Sequence, residues 1–240
     1  MVDAGLFKIS EKNNKIYDVF RNRIIFPIKS HRDQIIGFGG RVIDPADNPK
    51  YLNSSDSDIF KKGRELYGLS EILKNKKRIN RIVVVEGYTD VLSLFSNDMN
   101  YAVATLGIAT SKVHIDKLFT HVDEVIFCFD GDDAGVKAAE SALNISLSGL
   151  RDGKKIKFMF LPEGEDPSSL LEKEGKEEFE TRMENSKVLS EYLFENILKK
   201  YDDSIESKAS AMKEFLDIMQ LMPSSNFKKI MFQEFSKKLG

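Results

Sequence analysis

The chain has 240 residues, of which 41% are hydrophobic and 31% charged, with a formal net charge of −2. That balance excludes a disordered or collagen-like chain and describes a globular protein long enough to bury a real core. No apolar stretch approaches the roughly 18 residues of a membrane span, and the opening Met1-Val-Asp-Ala-Gly5 lacks the basic start and apolar run of a signal peptide. The single cysteine, Cys128, lies in an apolar run and excludes a disulfide framework or a thiolate metal cluster, so no zinc is expected. These features point to a cytoplasmic protein.

The near-neutral total conceals an asymmetry. Through Arg81 there are 17 basic and 10 acidic residues, a net +7, whereas the remainder has 19 and 28, a net −9. A basic front and an acidic rear suit a protein that holds a polyanion with one part and metal ions with another. Solvated charge of no further meaning is the plainer alternative.

In chain order, residues 1–80 alternate short apolar runs (Ile24-Ile-Phe-Pro-Ile28, Ile35-Ile-Gly-Phe38) with turn signals such as the loop from Asp44 to Pro49. Short strands in antiparallel pairing are predicted there. Residues 81–170 change character. Arg81–Val85 is a nearly continuous apolar run, followed by a helix over Asp90–Asn97 with Val91, Leu92, Leu94 and Phe95 inward. Strand-like Tyr101–Thr105, helical Ser111–His121, strand Glu124–Phe129, helix Ala134–Leu150 and strand Lys157–Leu161 complete the region. Such βαβαβαβ alternation with fully apolar strands predicts a parallel sheet covered on both faces. From Ser168 onward the pattern is helical, over Phe179–Met183, Val188–Tyr201, Ser207–Met222 and Phe227–Leu239. The predicted fold is therefore α/β. A small, largely antiparallel subdomain (1–80) precedes a parallel-sheet domain (81–170), and a helical bundle (171–240) follows.

Acids stand where this topology concentrates chemistry. Glu86-Gly-Tyr-Thr-Asp90 follows the first parallel strand, Asp130-Gly-Asp-Asp-Ala-Gly135 the third, and Pro162-Glu-Gly-Glu-Asp-Pro167 the fourth. In an open α/β sheet ligands bind beyond the carboxyl ends of the strands, so these carboxylates are aimed at one edge. Clustered carboxylates repel unless a cation neutralises them, and an all-oxygen set selects a hard one, Mg²⁺ or Mn²⁺ in its place. Gly87 and Gly131 are expected to let the backbone turn beside the ions, and Gly135 to let the next helix pack closely. An EF-hand is excluded because Ser141 occupies the twelfth position. Gly37-Phe-Gly-Gly-Arg41 is not a dinucleotide fingerprint, because Val42 stands where its last glycine belongs. His31, His114 and His121 form no site in the sequence and are assigned surface or helix-end roles.

The strand–Glu-Gly and strand–Asp-x-Asp motifs resemble the TOPRIM domain of topoisomerases, primases and some nucleases. The front motifs narrow the family. Phe20-Arg-x-Arg-Ile-Ile-Phe-Pro-Ile28, Ile36-Gly-Phe-Gly-Gly-Arg41, Pro49-Lys-Tyr-Leu-Asn-Ser54, Phe60-Lys-Lys-Gly-Arg64 and Leu66-Tyr-Gly-Leu69 resemble bacterial DnaG-type primases in order and spacing. The likeness runs on through Thr105-Leu-Gly-x-Ala109 and Leu161-Pro-x-Gly-x-Asp-Pro167 to Lys237-Lys-Leu-Gly240. It implies template-directed synthesis of short RNA primers on single-stranded DNA from ribonucleoside triphosphates. By analogy Glu86, Asp130 and Asp132 are catalytic and metal-binding, with Asp90 and Asp166 in support. Arg41, Lys50, Tyr51, Asn53 and Lys62 are then the contacts to template or triphosphate. Where the family pattern has a second acid two residues after the position of Asp166, this chain has Ser168. Glu163 or Glu165 then takes its place, or an outer metal is held more weakly. The resemblance also implies a monomeric core whose zinc-binding and helicase-binding domains lie outside this chain, making Met1 an internal position. Another TOPRIM enzyme (a nuclease or topoisomerase fragment) and a non-catalytic nucleic-acid-binding scaffold are the competing readings.

Overall fold

The structure, a computed structural model, describes residues 5–75 and 79–240. The readings of Met1 as an internal position and of residues 1–4 as no signal peptide lie outside the described residues.

The front region is antiparallel, as its short apolar runs predict. Strands β1 (Phe7–Ile9) and β2 (Ile16–Asp18) form a hairpin. Strands β3 (Arg23–Lys29), β4 (Ile35–Val42) and β5 (Tyr51–Asn53) form a three-stranded sheet in that order. Alternation along β3 turns Phe26 and Ile28 inward and leaves Ile24 exposed. The cluster they join also contains Phe60 and, from beyond Arg81, Tyr88 and Leu106. The front sheet thus shares its core with the start of the next region's first helix and the Leu106 loop.

After helix α1 (Leu69–Lys74) comes the predicted alternation: β6 (Arg81–Val85), α2 (Tyr88–Ser96), β7 (Ala102–Ala104), α3 (Lys112–Phe119), β8 (Glu124–Phe129), α4 (Asp133–Gly149) and β9 (Lys155–Phe160). The sheet order is β10-β9-β8-β6-β7, with β6 to β9 mutually parallel and the two-residue β10 (Lys187–Val188) antiparallel at the edge. Because successive side chains alternate, each apolar strand feeds two cores. Val83, Val85, Ile126, Cys128 and Met159 face α2 and α5 (Pro167–Glu184). Ile82, Val84, Val125, Phe127, Phe129 and Phe158 face α3, α4 and α6 (Leu189–Leu198).

Helix α5 bends at Gly175, whose φ of 77° and ψ of 174° interrupt the helix, and both halves bury apolar residues beneath the sheet: Leu170 and Leu171, then Phe179 and Met183. Helices α6, α7 (Ile205–Met219) and α8 (Asn226–Leu239) pack around Phe194, Phe215 and Phe235. Tyr192, stacked on Phe158 at 4.9 Å, fastens them to the sheet, as does the Asp152 carboxylate, which accepts the backbone N–H of Phe227 at 2.8 Å.

Two local expectations change. Leu92 is 44% exposed, because the inward stripe of α2 runs through Val91 and Leu94, and Leu92 lies a further 100° round the helix from Val91. Helix α2 also begins two residues before Asp90: Gly87 is its N-cap, and the Asp90 carboxylate at the third helical position reaches back to the Gly87 N–H at 2.8 Å. Among the described residues no helix is long and apolar enough to cross a membrane.

Candidate active site

Strands β6 and β8 are neighbours in parallel register, so the residues that follow them, Glu86 and Asp130, emerge side by side at the carboxyl edge. The Asp130 N–H donates to Glu86 Oε1 at 3.3 Å. A cleft of about 320 Å³ opens above them. Its floor is Glu86, Asp90, Asp130 and Asp166, and its wall is Lys50, Tyr51 and Asn53 from β5 and the residue before it. The antiparallel front sheet and the acidic edge of the parallel sheet therefore meet at one site.

Two acids are held by the helices they start. Asp132 is the N-cap of α4, its Oδ1 accepting the Gly135 N–H at 2.8 Å, and Asp166 caps α5 by accepting the Ser169 N–H at 2.8 Å. Burial, followed by the charges of Glu86, Asp90, Asp166 and Asp132, pushes the Asp130 carboxyl up to about 7. Burial also raises Asp90 to about 6, with Asp166 and Glu86 adding to the effect against the opposing Gly87 N–H and Arg41. Glu86 is exposed at the cleft lip, yet desolvation by the protein around it, and more weakly Asp132, hold its carboxyl above the usual range.

These residues fit a divalent cation. The donor set is all oxygen, and Asp130 Oδ1 is buried without a hydrogen-bond partner among the described residues. The fit is to an ion that takes few protein ligands: no three of the acids among the described residues stand close enough together to form a ready cage. A hard divalent ion that keeps most of its waters and takes one or two carboxylates would suit such an arrangement. Glu165 is removed from the set, since Lys173 and Ser169 Oγ occupy its two oxygens. Glu163 lies exposed beside Asp130 and Asp132 in an adjoining cavity.

The backbone bends at Gly87 and Gly131, as expected, but not through a left-handed conformation. Neither Gly87 nor Gly131 has a positive φ; Gly131 is required because a β-carbon there would sit 1.8 Å from the Pro162 carbonyl oxygen. At Gly135 it would sit 2.2 Å from the Asp130 carbonyl oxygen, so the close approach is to the acidic loop itself.

Of the basic and polar candidates, Lys50, Tyr51 and Asn53 line the cleft. Lys50 and Arg41 both lie over the Tyr51 ring, at 5.8 and 5.9 Å. Asn53 faces the cleft with its amide already engaged: Nδ2 donates to the Leu106 carbonyl at 2.8 Å, and Oδ1 accepts from the Tyr88 hydroxyl. Lys62 does not line the cleft; it sits on a turn held against α3. Tyr88 carries no signal of its own within the Glu86–Asp90 motif, yet its ring stacks on Phe26 at 5.1 Å and joins the two sheets. His31 and His121 are exposed, whereas His114 is fully buried at the start of α3, a helix-end role without the surface.

The carboxyl shifts give a pH dependence with a definite sign. Asp90 and Asp130 have folded values above their unfolded ones, so the stability they confer is complete below about pH 4 and is lost as the pH rises through 6 and 7. The ion-free protein is expected to lose a few degrees of Tm between pH 5.5 and 8 relative to Asp130→Asn, and a divalent ion should reverse the trend. The comparison cancels His114, whose burial holds it at about 4 and acts with the opposite sign. A Tm difference between the two proteins that stays flat across this range would refute the assignment.

Three family models match the chain. One described as DNA primase catalytic core, N-terminal domain, covers residues 1–73; a Toprim-like model covers 83–171; and a DnaB-helicase binding domain of primase covers 190–240. The last corrects the expectation that helicase-binding sequence lies wholly outside this chain. A DNA primase of Pseudomonas putida is 46% identical over 233 residues, which is 96% of this chain and 35% of that protein. A DNA primase of Escherichia coli K12 is 45% identical, over 100% of this chain and 41% of its own length. The chain thus spans about two fifths or less of the curated relatives it matches. Among solved structures, a DNA primase domain from Pseudomonas aeruginosa superposes with a TM-score of 0.95 at 45% identity, over 99% of this chain and 74% of that one. A DnaG primase catalytic domain bound to single-stranded DNA superposes at 0.91 with 44% identity, over 98% and 76%. With near-complete coverage, this identity and the Glu86 and Asp130 edge in place, the chain belongs to the DnaG-type DNA primases and carries most of their catalytic-core region.

Proposed function

We propose that this chain is the catalytic part of a bacterial primase that joins ribonucleotides on a single-stranded DNA template into short RNA primers for replication initiation and lagging-strand synthesis. The observation carrying this reading is the facing of Glu86 and Asp130, whose buried oxygen has no partner among the described residues, by Lys50 across one cleft. A primer 3′-hydroxyl attacks the α-phosphate of a bound triphosphate; the new P–O bond forms as the bond to the bridging oxygen breaks, pyrophosphate leaves and the hydroxyl proton passes to solvent water. Mg²⁺, or Mn²⁺ in its place, would be held by Glu86 and Asp130 and would lower the hydroxyl's pKa and neutralise charge developing on phosphate. Asp90, Asp132 and Asp166 keep the local potential negative enough to retain the ion, and Asp132 and Asp166 also fix the loops by capping α4 and α5. Lys50, Arg41 and Lys62 supply phosphate contacts, Tyr51 a platform between two cations, and Asn53 the link that keeps β5 against the Leu106 loop.

The same reading makes the chain a monomeric, cytoplasmic core with front (1–80), TOPRIM (81–170) and helical (171–240) parts. It assigns contact with the replicative helicase to α6–α8, supported by the match over residues 190–240. The test is incorporation of ribonucleotides on single-stranded DNA by the full chain, with Mg²⁺, with Mn²⁺ and with chelator. Ion-dependent RNA product is expected, and ion-dependent degradation of the template without product would sink the proposal. Lys50→Ala is expected to raise the KM for triphosphate or template about tenfold with kcat nearly unchanged, the size of one lost charge-assisted hydrogen bond. Steady-state kinetics with each substrate varied in turn would check it; a drop in kcat alone contradicts a binding role.

A further inference from the structure

Lys62 lies outside the acidic cleft on an irregular turn, so the reach of its ammonium depends on what holds that turn in place. The turn is fixed by the first two turns of α3. The Ser111 hydroxyl, the N-cap, donates to the Gly63 carbonyl at 2.7 Å while accepting the His114 N–H at 3.1 Å. Lys117 pairs with Glu65 at 3.0 Å. Between them stands the imidazole of His114, with no exposed surface. Its Nδ1 accepts the Ser111 N–H at 3.2 Å, so that nitrogen carries no proton, and a neutral ring then carries its proton on Nε2. Nε2 stands 3.2 Å from the Lys62 carbonyl and donates to it. The Lys62 N–H is taken by Asp56 Oδ1 at 3.1 Å, so both backbone polar groups of Lys62 are pinned. Its ammonium makes no ion pair among the described residues.

We infer that His114 is a positioning residue for Lys62: through the Lys62 carbonyl, and with Ser111 and Lys117 beside it, His114 holds the backbone from which the Lys62 ammonium reaches a phosphate of the template or of the incoming triphosphate. The inference rests on the proposed reading of Lys62 as a phosphate contact. A glutamine at 114 can place an amide donor near the Nε2 position, whereas a leucine fills the space and donates nothing.

The experiment compares Lys62→Ala, His114→Leu, His114→Gln and the double variant His114→Leu with Lys62→Ala in the full chain. One arm measures anisotropy of a dye-labelled single-stranded oligonucleotide over a salt series; the other measures KM and kcat for ribonucleoside triphosphate. Weakening in the first arm, with the slope of log K against log salt shallower by about 0.7, assigns the phosphate to the template. A raised KM in the second assigns it to the triphosphate. His114→Leu is expected to weaken the same arm as Lys62→Ala, by about threefold to tenfold with kcat within about twofold. His114→Gln should recover most of the loss, and the double variant should be no weaker than Lys62→Ala. Multiplying effects in the double variant, or a glutamine no better than leucine at equal Tm, would overturn the inference. A normal His114→Leu beside an impaired Lys62→Ala overturns the inference alone. A normal Lys62→Ala overturns the reading of Lys62, and the inference falls with it. If His114→Leu fails to fold, His114→Asn, which keeps an acceptor for the Ser111 N–H but is too short to reach the Lys62 carbonyl, gives the same cycle with Lys62→Ala, and its outcomes decide in the same way.

Discussion

Asp130→Asn is expected to cut primer synthesis by at least about 10³-fold while leaving the ion-free protein as stable as the wild type or more so. The two directions have one cause. Asp130 stands half-buried among Glu86, Asp90, Asp132 and Asp166, and its carboxyl is held up at about 7 because that environment opposes a further negative charge. An asparagine keeps the shape, removes the repulsion, and is worth on the order of 1 kcal/mol to the fold at pH 8, or ~2–4 °C in a chain of this size. It also removes the acceptor through which the cleft would hold a cation, so the rise in Tm on adding Mg²⁺ should shrink with the activity. Glu86→Gln should behave alike with a smaller gain in Tm, because Glu86 is exposed. Melting curves with and without Mg²⁺, beside an incorporation assay, test both directions together. An Asp130→Asn protein that primes at more than a few per cent of the wild-type rate rules out the proposed role, and one that unfolds early shows the carboxylate to be structural.

Gly131→Ala is expected to be the most damaging single methyl in the molecule. The β-carbon would meet the Pro162 oxygen at 1.8 Å and its carbon at 2.4 Å, both backbone atoms with no side-chain freedom to yield. The two loops are laced together here: the Gly131 N–H donates to the Glu165 carbonyl at 3.2 Å, and the Gly164 N–H to the Gly131 carbonyl at 3.1 Å. Relieving the clash must break this lacing and part the loops carrying Asp130, Asp132 and Asp166. A loss of about 3 kcal/mol follows, or ~6–12 °C, with activity falling far more than the melting temperature suggests. A Gly153→Ala control is strained by its φ of +80° but meets nothing within 4 Å, so it should lose stability modestly and keep its activity. Equal activity loss in the two variants would show that loop separation is not what matters.

Much of this is readable in the sequence because the parallel strands are apolar on both faces. Arg81–Val85 and Glu124–Phe129 announce themselves without neighbours, and once they are strands in one parallel sheet the acids after them share an edge. What stays hidden depends on partners far along the chain. Asn53 looks free to bind a ligand until Leu106 and Tyr88 are seen to hold it, at separations of 53 and 35 residues. His114 looks like a solvated helix-end histidine until the 61–65 turn closes over it. Gly131 stands out as a turn glycine, but its necessity has another cause, since close approach of a second loop leaves no local trace. Glu165 cannot be told from a ligand without the Lys173 that neutralises it.

The seam at Tyr88 bears on how the molecule can move. Tyr88 is 4% exposed, stacked on Phe26 at 5.1 Å and edge-on to Tyr67 at 4.8 Å, and its hydroxyl is spent on Asn53. Prising the front sheet away would expose these rings and break that bond, at a cost of about 5 kcal/mol and an open population near 10⁻⁴. The two sheets therefore stay together for nearly all of the time. On the proposed reading, substrates would move past a front sheet that keeps its place on the acidic edge.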